Sequence, residues 1–168
     1  MTQRMLADLG RLTLDFAALD DHVSWAYDIL HPAGRKVAIS KRPDSFKMRI
    51  TNVRDFILSR AKKARLGSHP QVAEFLALLK ELETIAHDRN LYVHGLITEV
   101  PEIAALFVSH QPRRGKARQE ELTGDAIPAL NNRISEASVS LVNLTLSVRE
   151  VLTRAEAKQK GSARKSLH

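Results

Sequence analysis

Apolar residues recur at three- and four-residue steps through four separate stretches of the chain, the pattern of amphipathic helices. Over residues 3–31 the stripe is Leu6, Leu9, Leu12, Phe16, Leu19, Val23, Ala26 and Leu30, broadened near its end by Trp25 and Ile29. Gly10 interrupts it, at a cost of up to about 1 kcal/mol relative to Ala, and marks a possible point of close packing. His31-Pro32-Ala33-Gly34 ends the helix, because proline restricts the residue before it and cannot extend the ladder. A second stripe, Phe46, Ile50, Val53, Ile57, Ala61 and Ala64, follows Asp44 or Ser45 as N-cap and precedes Gly67 as C-cap. The third, Val72, Phe75, Leu76, Leu79, Leu82 and Ala86, starts after Ser68 with Pro70 in its first turn. Thr123 or Asp125 opens the fourth, which runs to about Ala157 through Ile127, Leu130, Ile134, Ala137, Leu141, Leu144, Val148 and Val151 or Leu152.

Between the third and fourth helices the period changes. Residues 96–100 and 104–108 are short apolar or β-branched runs flanking Pro101 and Glu102, which predicts a small hairpin or a pair of edge strands. Residues 33–43 read as a basic connector and residues 109–122 as a polar, basic loop. The fold expected is therefore mainly α: a bundle of about four long helices with a small β-hairpin or strand excursion between the third and fourth. With 168 residues and neither repeat nor internal linker, one domain over residues 1–157 is expected. The basic tail, residues 158–168, is low in apolar content and expected to be disordered.

Charge and composition narrow the classes of partner. A net charge of +7 and a pI near 10 favour polyanions, nucleic acid first. Basic residues gather at Arg35, Lys36, Lys41 and Arg42, at Arg113, Arg114, Lys116 and Arg118, and on the outward face of the second helix (Lys47, Arg49, Arg54, Arg60, Lys62, Lys63, Arg65). Loops and helix faces also collect such residues simply because they are solvated. There are no cysteines, which excludes disulfides and thiolate metal sites. The acidic start and the absence of a long apolar run predict no signal peptide and no membrane span, so a cytoplasmic protein is expected. Phosphate loops, dinucleotide-binding glycine patterns and nucleophile elbows are missing, and no cofactor is expected.

Candidate chemistry lies at the end of the third helix, in His87-Asp88-Arg89-Asn90-Leu91-Tyr92-Val93-His94-Gly95. Extending the third stripe past Ala86 by steps of three and four reaches Arg89 and then Val93. A guanidinium on an apolar line needs an acidic partner, a route to solvent or a second subunit. Asn90 and His94 share a helix face. Arg89 and His94 stand about 140° apart, but the long Arg side chain can bend toward His94. This set suits phosphodiester chemistry: His moves a proton near neutrality, Arg holds a phosphate or its transition state, and Asn orients either one. With RNA the substrate's own 2′-hydroxyl is a nucleophile, so no metal is needed. The plainer reading is that Arg and His near a helix end complement its dipole, that Gly95 is a C-cap and that Arg89 pairs with Asp20, Asp21 or Asp28. His87 and His94 lack an acidic third ligand in an HExxH-like arrangement, so no metal site is expected. His22, His31, His69 and His110 are expected to face solvent or cap helices.

The run Arg89-Asn90-Leu91-Tyr92-Val93-His94 resembles the Arg-x(4–6)-His motif of the HEPN superfamily (higher eukaryotes and prokaryotes nucleotide-binding), in which a polar residue, commonly Asn, follows the Arg. The order of long helices around it is similar over roughly residues 3–155. The resemblance implies a domain that dimerises to form one cleft from two motifs, with Arg89 and His94 catalytic and Asn90 supporting them. It further implies a metal-independent endoribonuclease or RNA-binding domain of a toxin–antitoxin or phage-defence system, a homodimer with an antitoxin or other protein as possible partner. Other members are non-catalytic, and a dimeric binding or interaction module of the same fold is the alternative. The Tyr that some toxin members carry two residues after the His is Leu96 here.

Overall fold

The computed structural model describes residues 2–30, 45–100, 105–111 and 116–165, with side chains as far as Gln159. The elements in order are α1 (Gln3–Leu30), α2 (Phe46–Ala64), α3 (Pro70–His94), β1 (Leu96–Val100), β2 (Ala105–His110), β3 (Arg118–Glu121) and α4 (Ala126–Lys165). The protein is mainly α, and its described residues form four helices and a small antiparallel sheet between the third and fourth. Among the described residues no helix is long and apolar enough to cross a membrane.

Helix boundaries follow local chemistry. The hydroxyl of Thr2 accepts the Met5 N–H at 3.3 Å, and that of Ser45, in extended backbone, accepts the Met48 N–H at 3.2 Å. Both satisfy a backbone donor that a first helical turn leaves open. Asp125 fills the same place before α4, its carbonyl accepting the Ala129 N–H. Two caps differ from the sequence expectation. His69, not Ser68, precedes α3, since its carbonyl accepts from Val72 and Ala73. Arg65, not Gly67, ends α2 in the left-handed region (φ 58°), while the Leu66 N–H reaches the Ala61 carbonyl at 2.7 Å. That closure fixes the left-handed residue two positions before the glycine, so a Cβ-bearing residue takes the strain. The stop at His31–Gly34, Asp44 as an alternative cap, the connector 33–43 with its four basic residues, Pro101–Ala104, and Arg113 and Arg114 all lie outside the described residues.

The chain forms two compact units, one of Met1–Leu19 with Glu83–Glu136, the other of Asp20–Leu82 with Ala137–His168. Among the described residues, the regular elements of the second are all helices. Val23, Ala26 and Leu30 of α1, Ile50, Val53, Ile57 and Ala61 of α2, Val72, Phe75, Leu79 and Leu82 of α3, and Leu141, Val148 and Leu152 of α4 are buried there, close to the expected stripes. Thr145, a polar residue on the α4 stripe, is fully buried as well. Arg49 was expected on the outward face of α2 but is half-buried and ion-paired to Asp20. Arg60 donates to Glu156 at 2.8 Å and lies over the Phe56 ring. Two of the basic residues of α2, Arg49 and Arg60, are thus paired within their own unit.

The first unit holds the sheet. β2 is central, pairing antiparallel with β1 (Ile97 opposite Val108) and with β3 (Val108 opposite Glu120, His110 opposite Arg118). Val108 is fully buried, as are Leu12, Leu19, Ile85 and Leu91. Three expectations change in this unit. Residues 118–121 are a strand rather than loop, because the open edge of β2 supplies hydrogen-bond partners that Arg-Gln-Glu-Glu has no apolar alternation to announce. Leu6 is exposed, standing near the free end of α1 where nothing among the described residues covers it. Gly10 has open space, not close packing, beyond its Cα. In the second unit α4 continues to Lys165, past the expected end at Ala157, so residues 158–165 are helical rather than a disordered tail. Lys, Gln, Ala and Arg are strong helix formers that tolerate the single Gly161, and the Gln159 amide anchors the extension by donating to the Lys63 carbonyl.

Candidate functional site

The last two turns of α3 carry Arg89, Asn90 and His94, with His94 the final helical residue. One guanidinium nitrogen joins all three. Arg89 Nη1 donates to Asn90 Oδ1 at 3.1 Å and lies 3.2 Å from His94 Nε2. The guanidinium has no lone pair to offer, so His94 Nε2 is the acceptor, and the proton of the neutral imidazole sits on Nδ1. The bend expected of the Arg side chain is therefore made.

Arg89 itself is half-buried, while Asn90 and His94 are exposed. Its guanidinium stacks 5.0 Å from the centroid of Phe16 on α1, an aromatic that the sequence marks only as a core position. Burial pulls the Arg89 ionisation below the ordinary arginine value, and its Nε is buried without a hydrogen-bond partner. No carboxylate pairs with Arg89 among the described residues, and Asp20, one of the partners expected for it, is ion-paired with Arg49. A permanent charge is thus desolvated on one side, stacked on a ring and open on the other. An oxyanion is the ligand that such a charge lacks.

The surrounding scaffold was not legible in the sequence. Asp88, next to Arg89, has a side chain only 15% exposed and accepts from Arg118 Nη1 and Arg133 Nη1, each at 2.8 Å. It ties α3 to β3 and to the start of α4 across 30 and 45 residues of sequence. Arg118, expected within a polar, basic loop, is held in place: its Nε donates to Glu120 at 2.6 Å. Burial opposes the Arg118 charge, but hydrogen bonds to Asp88 and Glu120 outweigh that and hold its ionisation above the ordinary value. Burial, then Glu120 and Asp88, push the phenol of Tyr92 up, against a weaker pull from Arg118 and Arg133.

Gly95 is not the left-handed cap expected of it. A Cβ there would overlap the Leu91 carbonyl oxygen, lie 2.5 Å from Val108 Cγ2 and lie 3.1 Å from the Ser109 carbonyl. The glycine lets β2 pass directly under the end of α3, which brings the sheet to the side of the motif. His110 at the end of β2 and Arg118 opposite it then border a hollow with His87, Asn90, Leu91 and Lys116. His87 therefore belongs with His110 rather than with His94, and His110 is neither a cap nor free in solvent. Among the described residues no three His, Asp or Glu side chains gather as metal ligands. No family model matches the chain, and no curated protein or solved structure matches it either.

Proposed function

We propose that the chain is a HEPN-like endoribonuclease that cleaves single-stranded RNA without a metal ion, with Arg89 and His94 as catalytic residues and Asn90 positioning Arg89. The observation that carries this reading is the shared Nη1 of Arg89, in contact with both Asn90 Oδ1 and His94 Nε2 and unpaired with any carboxylate among the described residues. A substrate phosphate competes for the guanidinium and releases the Nε2 lone pair of His94. That lone pair takes the proton of the 2′-hydroxyl as its oxygen attacks the adjacent phosphorus. The bond from phosphorus to the 5′ oxygen breaks, the leaving oxygen takes a proton from water, and a 2′,3′-cyclic phosphate remains. Arg89 offsets the charge that grows on the phosphoryl oxygens. The resemblance adds a homodimer in which two motifs face one cleft, and an antitoxin as partner.

A non-catalytic RNA- or protein-binding module is the second reading, favoured by the fact that Arg89 and His94 already satisfy each other. Incubation of single-stranded RNA with the wild-type chain and with His94→Ala, in the presence of a chelator, separates the two. Cleavage by wild type alone supports the enzyme; intact RNA in both supports the binding module.

A further inference from the structure

The hollow beside the motif is about 120 Å³. Pockets that take whole small molecules run to roughly 300–1,000 Å³, so this one has room for a group rather than a nucleoside. Its lining is one-sided in chemistry: His87, Asn90, His110, Lys116 and Arg118 all carry N–H donors, Leu91 is apolar, and among the described residues no carboxylate lines it. Two acids are paired to its Arg118, Asp88 (which also takes Arg133) and Glu120. Arg118 spends one hydrogen on each of Nε, Nη1 and Nη2 in those pairs. Two of its five donors remain, on a guanidinium whose direction the acids fix.

Asn90 connects this hollow to the motif. Its Oδ1 is committed to Arg89, which leaves its two amide hydrogens for the hollow that it also lines. A ligand touching Asn90 from the hollow is therefore one residue away from the guanidinium that we assign to the scissile phosphate. We infer that the hollow holds a second phosphate group of the bound strand, next to the phosphate at Arg89 and His94. Phosphate binding rests on the hollow alone; the identity of the strand as RNA rests on the function proposed above.

The test is titration of the full chain, followed by amide and imidazole NMR signals, first with inorganic phosphate and then with an uncleavable 2′-O-methyl tetranucleotide. Saturable shifts at His87, Asn90, His110 and Lys116 are expected with both probes, the tetranucleotide binding more tightly. Lys116 is exposed, so Lys116→Ala leaves the fold intact and is expected to weaken both by about tenfold, the loss of one charged contact. His110→Gln is expected to act in the same direction. Phosphate binding that Lys116→Ala weakens supports the site even if the wild type cleaves no RNA. Shifts that are absent, or the same in wild type and Lys116→Ala, or confined to the basic face of α2 at Lys62 and Lys63, overturn it even if RNA is cleaved.

Discussion

Arg89 Nη1 and His94 Nε2 lie 3.2 Å apart at the end of α3, with the same nitrogen 3.1 Å from Asn90 Oδ1. A contact of this kind ties the fate of the two side chains together, and it makes the purpose of Arg89 testable apart from RNA cleavage.

Replacing Arg89 by Met separates a structural role from a functional one. Loss of the stack on Phe16 costs about 0.5–1 kcal/mol, and a sulfur–aromatic contact returns about 0.3–1.5 kcal/mol. The buried, unpartnered Nε disappears at the same time. Stability of Arg89→Met by chemical denaturation is expected within about 1 kcal/mol of wild type, or slightly higher, while cleavage falls by about 100-fold or more. A folding loss well beyond 1 kcal/mol would make Arg89 a structural residue.

Two glycines should respond in opposite directions. Gly95→Ala forces a methyl against the Leu91 and Ser109 carbonyls and Val108 Cγ2 and is expected to destabilise by about 1–3 kcal/mol or more. Gly10→Ala meets nothing within 4 Å inside a helix and is expected to stabilise by up to about 1 kcal/mol. Urea unfolding of the pair checks both signs at once.

What the sequence disclosed and withheld follows from the distance over which each feature is specified. The stripe of α2 was readable because Ile50, Val53, Ile57 and Ala61 mark one face of a local period, and all four are buried. Arg89, Asn90 and His94 were readable for the same reason, being neighbours on two turns of a single helix. Strand β3 was not, because its partner is an edge of β2 that is not adjacent in sequence. Asp88 stood within the stretch of interest, yet its partners Arg118 and Arg133 are 30 and 45 residues away. Gly95 was misread because a cap and a point of close approach ask for the same residue, and only β2 running beneath it tells them apart.

Tyr92 supplies a pH dependence. Its folded ionisation lies above the ordinary value of 10.0, chiefly through burial and then through Glu120 and Asp88. Between the ordinary and the raised value the folded chain keeps a proton that the unfolded chain has lost. Stability is therefore fully present below the ordinary value and is lost as pH rises through that window. Unfolding free energies measured from about pH 9 upward are expected to fall more steeply in wild type than in Tyr92→Phe. Equal slopes in the two proteins would remove Tyr92 from the account.

The claim that matters most is that Arg89 and His94 perform chemistry together. Single-stranded RNA incubated with the purified chain in excess chelator is predicted to yield fragments with 2′,3′-cyclic phosphate ends. His94→Ala, which removes an exposed side chain at the end of a helix, is predicted to melt at the wild-type temperature and to leave the RNA intact. Equal cleavage by both proteins, or none by either across a broad set of RNAs, contradicts it.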